Sequence, residues 1–201
     1  FLRHRPIAEG LVKAAKRSPD LQLVIILPHA ADRVLFEQDD SWNARHGHAL
    51  QSDALRLVTK AFGDRVALIS PGLPEAPPED IPAIVDAAPI YIHSKVTLVD
   101  DRVGMVGSAN LNGRSFRWDT EASVLFRRPD DVKALRERLA HAWLREHAEG
   151  RDTTQARTWR QAALSNVARD YSERQGFVMP YPLAQGRNFS RFYPFLPADM
   201  F

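Results

Sequence analysis

A chain of 201 residues with 44% hydrophobic residues has enough material for one globular core, and no apolar run in it reaches the length of a membrane-spanning helix. Its 27 Lys and Arg nearly balance 25 Asp and Glu, so charge alone makes no case for nucleic-acid binding. It has no cysteine, which excludes disulfides and thiol chemistry, and its seven histidines form no H-E-x-x-H metal pattern.

Pro6 to Arg17 carries Ile7, Leu11, Ala14 and Ala15 at helical spacing, with Pro6 in the first turn. Leu21 to Leu27 is an almost unbroken apolar run, which predicts a parallel strand buried on both faces. Pro28 closes it. His29 follows and reads as a solvated loop residue at the strand's C-terminal end. Ala30 to Gly47 is polar and mixed, with Trp42 and the cluster Arg45-His46-Gly47-His48, and reads as a substrate-access loop or an ordinary surface excursion. His46 and His48 have no evident third ligand, so the expectation is no metal site.

Ala49 to Phe62 predicts a helix with Leu50, Ala54, Leu57, Val58 and Ala61 inward and Gly63 as its stop. Arg65 to Ser70 predicts another buried strand. Pro71 to Pro89 holds six prolines and reads as a long stiff loop that shapes a substrate rim or simply connects.

The stretch Tyr91 to Phe126 carries the chemistry: YIHSKVTLVDDRVGMVGSANLNGRSFRWDTEASVLF. Ala88 to Leu98 predicts a strand, Asp100-Asp101 a turn, and Arg102 to Gly107 a second strand. Side chains alternate along a strand, so His93, Lys95 and Thr97 share one face, while Val96 and Leu98 turn toward a core. Asp100 has the opposite parity and reads as a turn-former. Gly107 permits a bend, after which Ser108 and Asn110 offer short polar donors. Thr120 to Phe126 predicts a third strand with Glu121, Ser123 and Leu125 on one face. An imidazole, an ammonium, a hydroxyl and an amide converging here suit a phosphoryl group: cation and neutral donors for its oxygens, His for attack or proton transfer. A carboxylate such as Glu121 suits the second ring nitrogen of His93.

Asp130 to His147 predicts a strong helix with Val132, Leu135, Leu139, Ala142 and Trp143 as its stripe, and Asp152 to Tyr171 predicts another. After Gly176 the chain is rich in aromatics and proline, which predicts an irregular arm packed over the domain rather than a membrane-docking segment.

The fold expected is α/β, a mixed β-sheet of about five to seven strands flanked by helices on both faces. The expected division is residues 1–150 as one domain carrying the Tyr91–Phe126 stretch and residues 151–201 as a C-terminal helix and arm packed on it.

His93, Lys95, Asp100, Gly107, Ser108, Asn110 and Glu121 closely resemble one H-x-K-x-x-x-x-D half-site, the HKD motif, of the phospholipase D superfamily, with no departure from the pattern. The resemblance implies one half of an α-β-α-β-α sandwich. It implies phosphodiester cleavage or exchange through a phosphohistidine, without a cofactor. His93 and Lys95 would bind and attack the phosphodiester, Ser108 and Asn110 would hold phosphate oxygens, and Glu121 would orient His93. Asp100 would be structural. It implies a partner carrying the second HKD half-site: an N-terminal segment, or a two-fold mate. In two-site members a segment ending in an aromatic introduces the second half, so Phe1 suggests the C-terminal portion of a longer protein. The leading substrate is a phospholipid at a membrane or micelle surface. A nuclease of the same superfamily, favoured less by the balanced charge, and a non-catalytic supporting half are the alternatives.

Overall fold

The computed structural model describes residues 2–79, 87–184 and 186–201, with the backbone alone at 32 and 33. The expectations placed on Phe1 and on 80–86, the centre of the proline-rich stretch, lie outside these residues.

Helix α1 (Arg5–Arg17) leads into strand β1 (Leu23–Ile26), the short helix α2 (Asp32–Phe36) and the long helix α3 (Trp42–Phe62). Strand β2 (Val66–Leu73) lies parallel to β1, Leu23 opposite Val66 and Ile26 opposite Ile69. Strand β3 (Ala88–Pro89) pairs antiparallel with the end of β2. A second, antiparallel sheet follows from β4 (Lys95–Val99), β5 (Val103–Gly107) and, after helix α4 (Gly113–Arg117), β6 (Ser123–Phe126). Helices α5 (Pro129–Leu144) and α6 (Ala156–Val167) return the chain to the first sheet. There β7 (Val178–Pro180) pairs antiparallel with β2, and helix α7 (Gly186–Phe189) precedes the C-terminal turn Ala198–Met200.

The unbroken apolar runs of β1 and β2 arise because both of their faces are covered. Leu23, Ile25, Val66 and Leu68 meet α1 and α3 through Ala8, Ala15, Leu55, Val58 and Phe62. The alternate residues Val24, Ile26, Ala67 and Ile69 meet α5 and α6 through Ala140, Leu144, Trp159 and Ala163. The period-two alternation of a strand divides the side chains between two helical layers. The class is the expected mixed α/β one, helices flanking sheet, with its strands divided between two sheets. The aromatic-rich tail is less irregular than expected, because Val178 and Met179 are buried and β7 joins the sheet.

Several local expectations need correction. The polar segment before Ala49 is not a loop from Trp42 onward. It is the first part of α3, whose N-terminus is capped by the Ser41 hydroxyl accepting the Ala44 N–H at 3.3 Å. His46 and His48 are therefore buried on opposite sides of a helix covered all round over 46–49, at 0% and 6% exposure. Helical periodicity was masked there because the inward residues are His46, His48, Gln51 and Ser52 rather than hydrocarbons. His29 is also buried, at 2%, because the chain stays inside from Leu27 to Ala30 and enters a small cluster with Val34 and Leu35. Burial pushes His29 down to about 4 and, with the nearby Arg3 charge as the lesser cause, His48 down to about 4.

Candidate active site

The second sheet is built on a two-residue hairpin. Asp100 and Asp101 both take positive φ, 51° and 49°, and the Arg102 N–H donates to the Val99 carbonyl at 2.9 Å. Such a turn matches the twist of paired strands, and Asp tolerates the left-handed region better than most residues. It sets the register that puts Lys95 opposite Gly107, and Gly107 opposite Ser123. Gly107 is required there for space, since the Ser123 side chain occupies the place a Cβ would take.

His93 does not lie on the strand. The ladder starts at Lys95, and residues 90–94 are irregular. The alternation expected to align His93 with Lys95 therefore does not set its direction. The Tyr91 ring lies stacked with the His93 ring at 6.2 Å between centroids, and Phe36 meets Tyr91 edge-on at 6.1 Å. His93 and Lys95 nonetheless share one open cleft of about 380 Å³ with Ser94, Gly107, Ser108 and Ala122. His93, Ser94 and Ser108 are exposed. The opposite face is open too: Val96, expected in a core, is 37% exposed, its cross-strand partner Val106 is 39% exposed, and Val124, the partner of Val106 on the next strand, is 68% exposed.

Glu121 faces the serines. The Ser108 hydroxyl donates to Glu121 Oε2 and accepts the Ala122 N–H at 3.0 Å. Among the described residues Glu121 has no hydrogen bond to His93. Hydrogen bonds from Ser108 first and Ser115 second hold the Glu121 carboxyl below the usual range, with a smaller contribution from the Lys95 charge.

Ser115 is a site residue that sequence reasoning missed. Its hydroxyl accepts the Asn110 N–H at 3.0 Å, and its own N–H donates to Asn112 Oδ1 at 3.0 Å. The available signal was Asn112 as an N-cap three residues ahead of Ser115, which starts α4 at Gly113. Lys95, Ser108, Asn110 and Glu121 thus gather around one end of the small sheet, with His93 on the same cleft. Asp100 sits apart at the opposite end of β4, in the turn. The cleft itself offers a cation, hydroxyls and an imidazole to a single anionic group, while Asn110 and Glu121 do not line it.

Residues 1–143 match the family described as cardiolipin synthase, PLD-like domain. Phospholipase D zeta 1 of Arabidopsis thaliana is 41% identical over 58 residues, 28% of this chain and 5% of that protein. Cardiolipin synthase A of Pseudomonas putida is 54% identical over 37 residues, 18% of this chain and 8% of that protein. Phospholipase D A of Dictyostelium discoideum is 38% identical over 50 residues, 25% of this chain and 4% of that protein. The matched stretches thus span under a tenth of these relatives.

Proposed function

We propose a function from the premise that this chain belongs to the family of the PLD-like domain of cardiolipin synthase, and so to an enzyme superfamily of phospholipase D type. The chain supplies one HKD half-site for hydrolysis or head-group exchange of phospholipids through a phosphohistidine. One observation carries this reading: His93, Lys95 and Ser108 line a single cleft.

The chemistry follows from the residues. An imidazole nitrogen attacks phosphorus, and the bond to the leaving oxygen breaks as a second imidazole gives that oxygen a proton. Water or an alcohol then attacks the phosphohistidine and regenerates the ring. Lys95 offsets charge on the non-bridging oxygens, and Ser108 and Asn110 donate to them. Attack and departure occur on opposite sides of phosphorus, so one His cannot readily do both. The openness of His93 and of the valine row supports a second half covering this sheet. Electrostatic stabilisation is weak in water and strengthens when the site is closed. In that pairing His93 is the general acid and base, and the nucleophile sits on the companion half.

Glu121 serves His93 through the carboxylate's position beside the cleft, with the Ser108 bond yielding when substrate engages that hydroxyl. A nuclease of the same superfamily is the second reading, and the near-balanced charge disfavours it.

The test assays the complete protein on mixed micelles of phosphatidyl lipid with a primary alcohol, with metal chelated. Phosphatidic acid and phosphatidyl-alcohol are expected, and both vanish in His93→Ala. Turnover of DNA with no lipid product selects the nuclease. Labelled substrate should trap phosphate on a histidine outside residues 1–201, and label on His93 would reverse the assigned roles.

A further inference from the structure

The C-terminal turn closes on the loop that follows the small sheet. The Gly113 N–H, the first in α4, donates to the Phe201 carbonyl at 2.7 Å. The Trp118 indole N–H donates to the Asp199 carbonyl at 3.1 Å, and Arg117 pairs with the Asp199 carboxylate at 3.4 Å. The fit is tight: a Cβ on Gly113 would lie 2.5 Å from the Asp199 Cα and carbonyl oxygen. The turn has its own seat. The Phe201 ring meets the buried His46 ring at 4.9 Å, and His46 Nδ1 accepts the Tyr193 N–H at 3.0 Å. On its other side the same loop is held by the Arg3 and His4 N–H groups, which both donate to the Leu111 carbonyl, at 2.8 and 3.0 Å.

Asn110 and Ser115 lie within this clamped segment, joined by the hydrogen bond between the Asn110 N–H and the Ser115 hydroxyl. We propose that the turn Ala198–Met200 and Phe201 form a clasp that positions the phosphate-gripping loop, with Trp118 and Asp199 as its positioning residues. The inference rests on the reading that Ser108 and Asn110 hold phosphate. The clasp gives the aromatic tail a task in binding that its distance in sequence conceals. Its bonds number few and lie near the surface, so releasing them shifts the loop without opening either helical layer on the main sheet. A displacement of about 1 Å at a site is enough to cost tenfold or more in function.

The experiment uses the full chain together with its companion half-site and inorganic phosphate as the probe, read as competitive inhibition, with melting temperature measured in parallel. Trp118→Phe keeps the ring and removes the N–H, and Gly113→Ala forces the turn away. Each should weaken phosphate inhibition about fivefold to tenfold with the melting temperature nearly unchanged. Deleting 198–201 should weaken phosphate inhibition by the same factor, with a fall in melting temperature as well because the Phe201 ring leaves the buried His46. Combined with Gly113→Ala it should add almost nothing, since both changes remove one contact. The control is Asn110→Ala, which should weaken phosphate at least as much. If Asn110→Ala weakens phosphate but the clasp variants do not, or if deletion and Gly113→Ala act additively, the clasp is wrong and the phosphate reading stands. If Asn110→Ala and Ser108→Ala leave phosphate inhibition unchanged, the phosphate reading fails and takes the clasp with it.

Discussion

Among the described residues it is the Ser108 hydroxyl foremost, and not the His93 ring, that donates to Glu121. The carboxylate is therefore preset as an acceptor beside the cleft, and its ionised form is favoured by serine donors from both ends of the loop. Removing Ser108 should raise the Glu121 pKa. The acid limb of the kcat/KM profile should then move toward neutral pH in Ser108→Ala, because the ionised carboxylate is lost at a higher pH. Glu121→Gln should lower kcat about tenfold or more across the whole range with the fold retained. A pH profile of Ser108→Ala that superimposes on the parent would refute the link.

Arg136 on α5 grips Asp101 through two bonds, Nε to Oδ1 at 2.6 Å and Nη2 to Oδ2 at 2.8 Å. The hairpin is thus tied down by the second Asp of the turn, and the motif residue Asp100 contributes backbone shape. Asp101→Asn should lower stability by about 0.5–1 kcal/mol. The Asp101 carboxyl lies below its ordinary value, chiefly through the Arg136 bond, so this contribution is present above the unfolded pKa and lost as pH falls through the folded one. Asp100→Gly should be neutral or slightly stabilising, since it relieves a left-handed φ of 51°. Asp100→Ala should destabilise by about 1 kcal/mol. Urea titration separates these outcomes, and a loss of kcat in Asp100→Gly at unchanged stability would give that Asp a chemical role.

Acid should weaken the fold through His29 and His48, each held near 4 by burial. Both are neutral in the folded chain, while the unfolded chain protonates them near 6.5. Their penalty is absent above about pH 6.5 and grows as pH falls toward 4, reaching on the order of 3 kcal/mol each. Thermal melts between pH 7.5 and 4.5 should show that slope. His48→Gln should remove roughly half of it, and an unchanged slope in both single variants would contradict the assignment.

Gly104 is covered by the Phe126 ring, which fills the space a Cβ would need. Gly104→Ala should cost about 1–3 kcal/mol by overpacking. Phe126→Leu in that background should restore part of it, and simple additivity in urea titrations would argue against a shared contact.

What the amino-acid sequence determined by itself was whatever depends on neighbours in the chain. The β1 and β2 runs, the α1 stripe, the existence of α5 and the Asp100-Asp101 turn were legible because periodicity and turn chemistry act over a few residues. The α5 stripe was read only in part: Ala142 is exposed, and Ala140 and Leu144 are buried beside Val132. The site's residue types were legible for the same reason, as a pattern within one stretch. Tertiary structure decided the rest. Polar His46 and His48 are buried on opposite sides of α3 because Phe192, Tyr193 and Phe201 arrive from far along the chain to cover the first and Phe189 the second. His93 left the strand because the ladder pairs only from Lys95 onward, opposite Gly107. Asp101, Ser115 and Asp199 acquired their tasks from Arg136, Asn110 and Trp118, and the longest of these contacts joins residues 81 positions apart. No local pattern encodes the Asp101–Arg136 and Trp118–Asp199 pairs, because a hydrogen bond between distant residues exists only once both backbones have been placed.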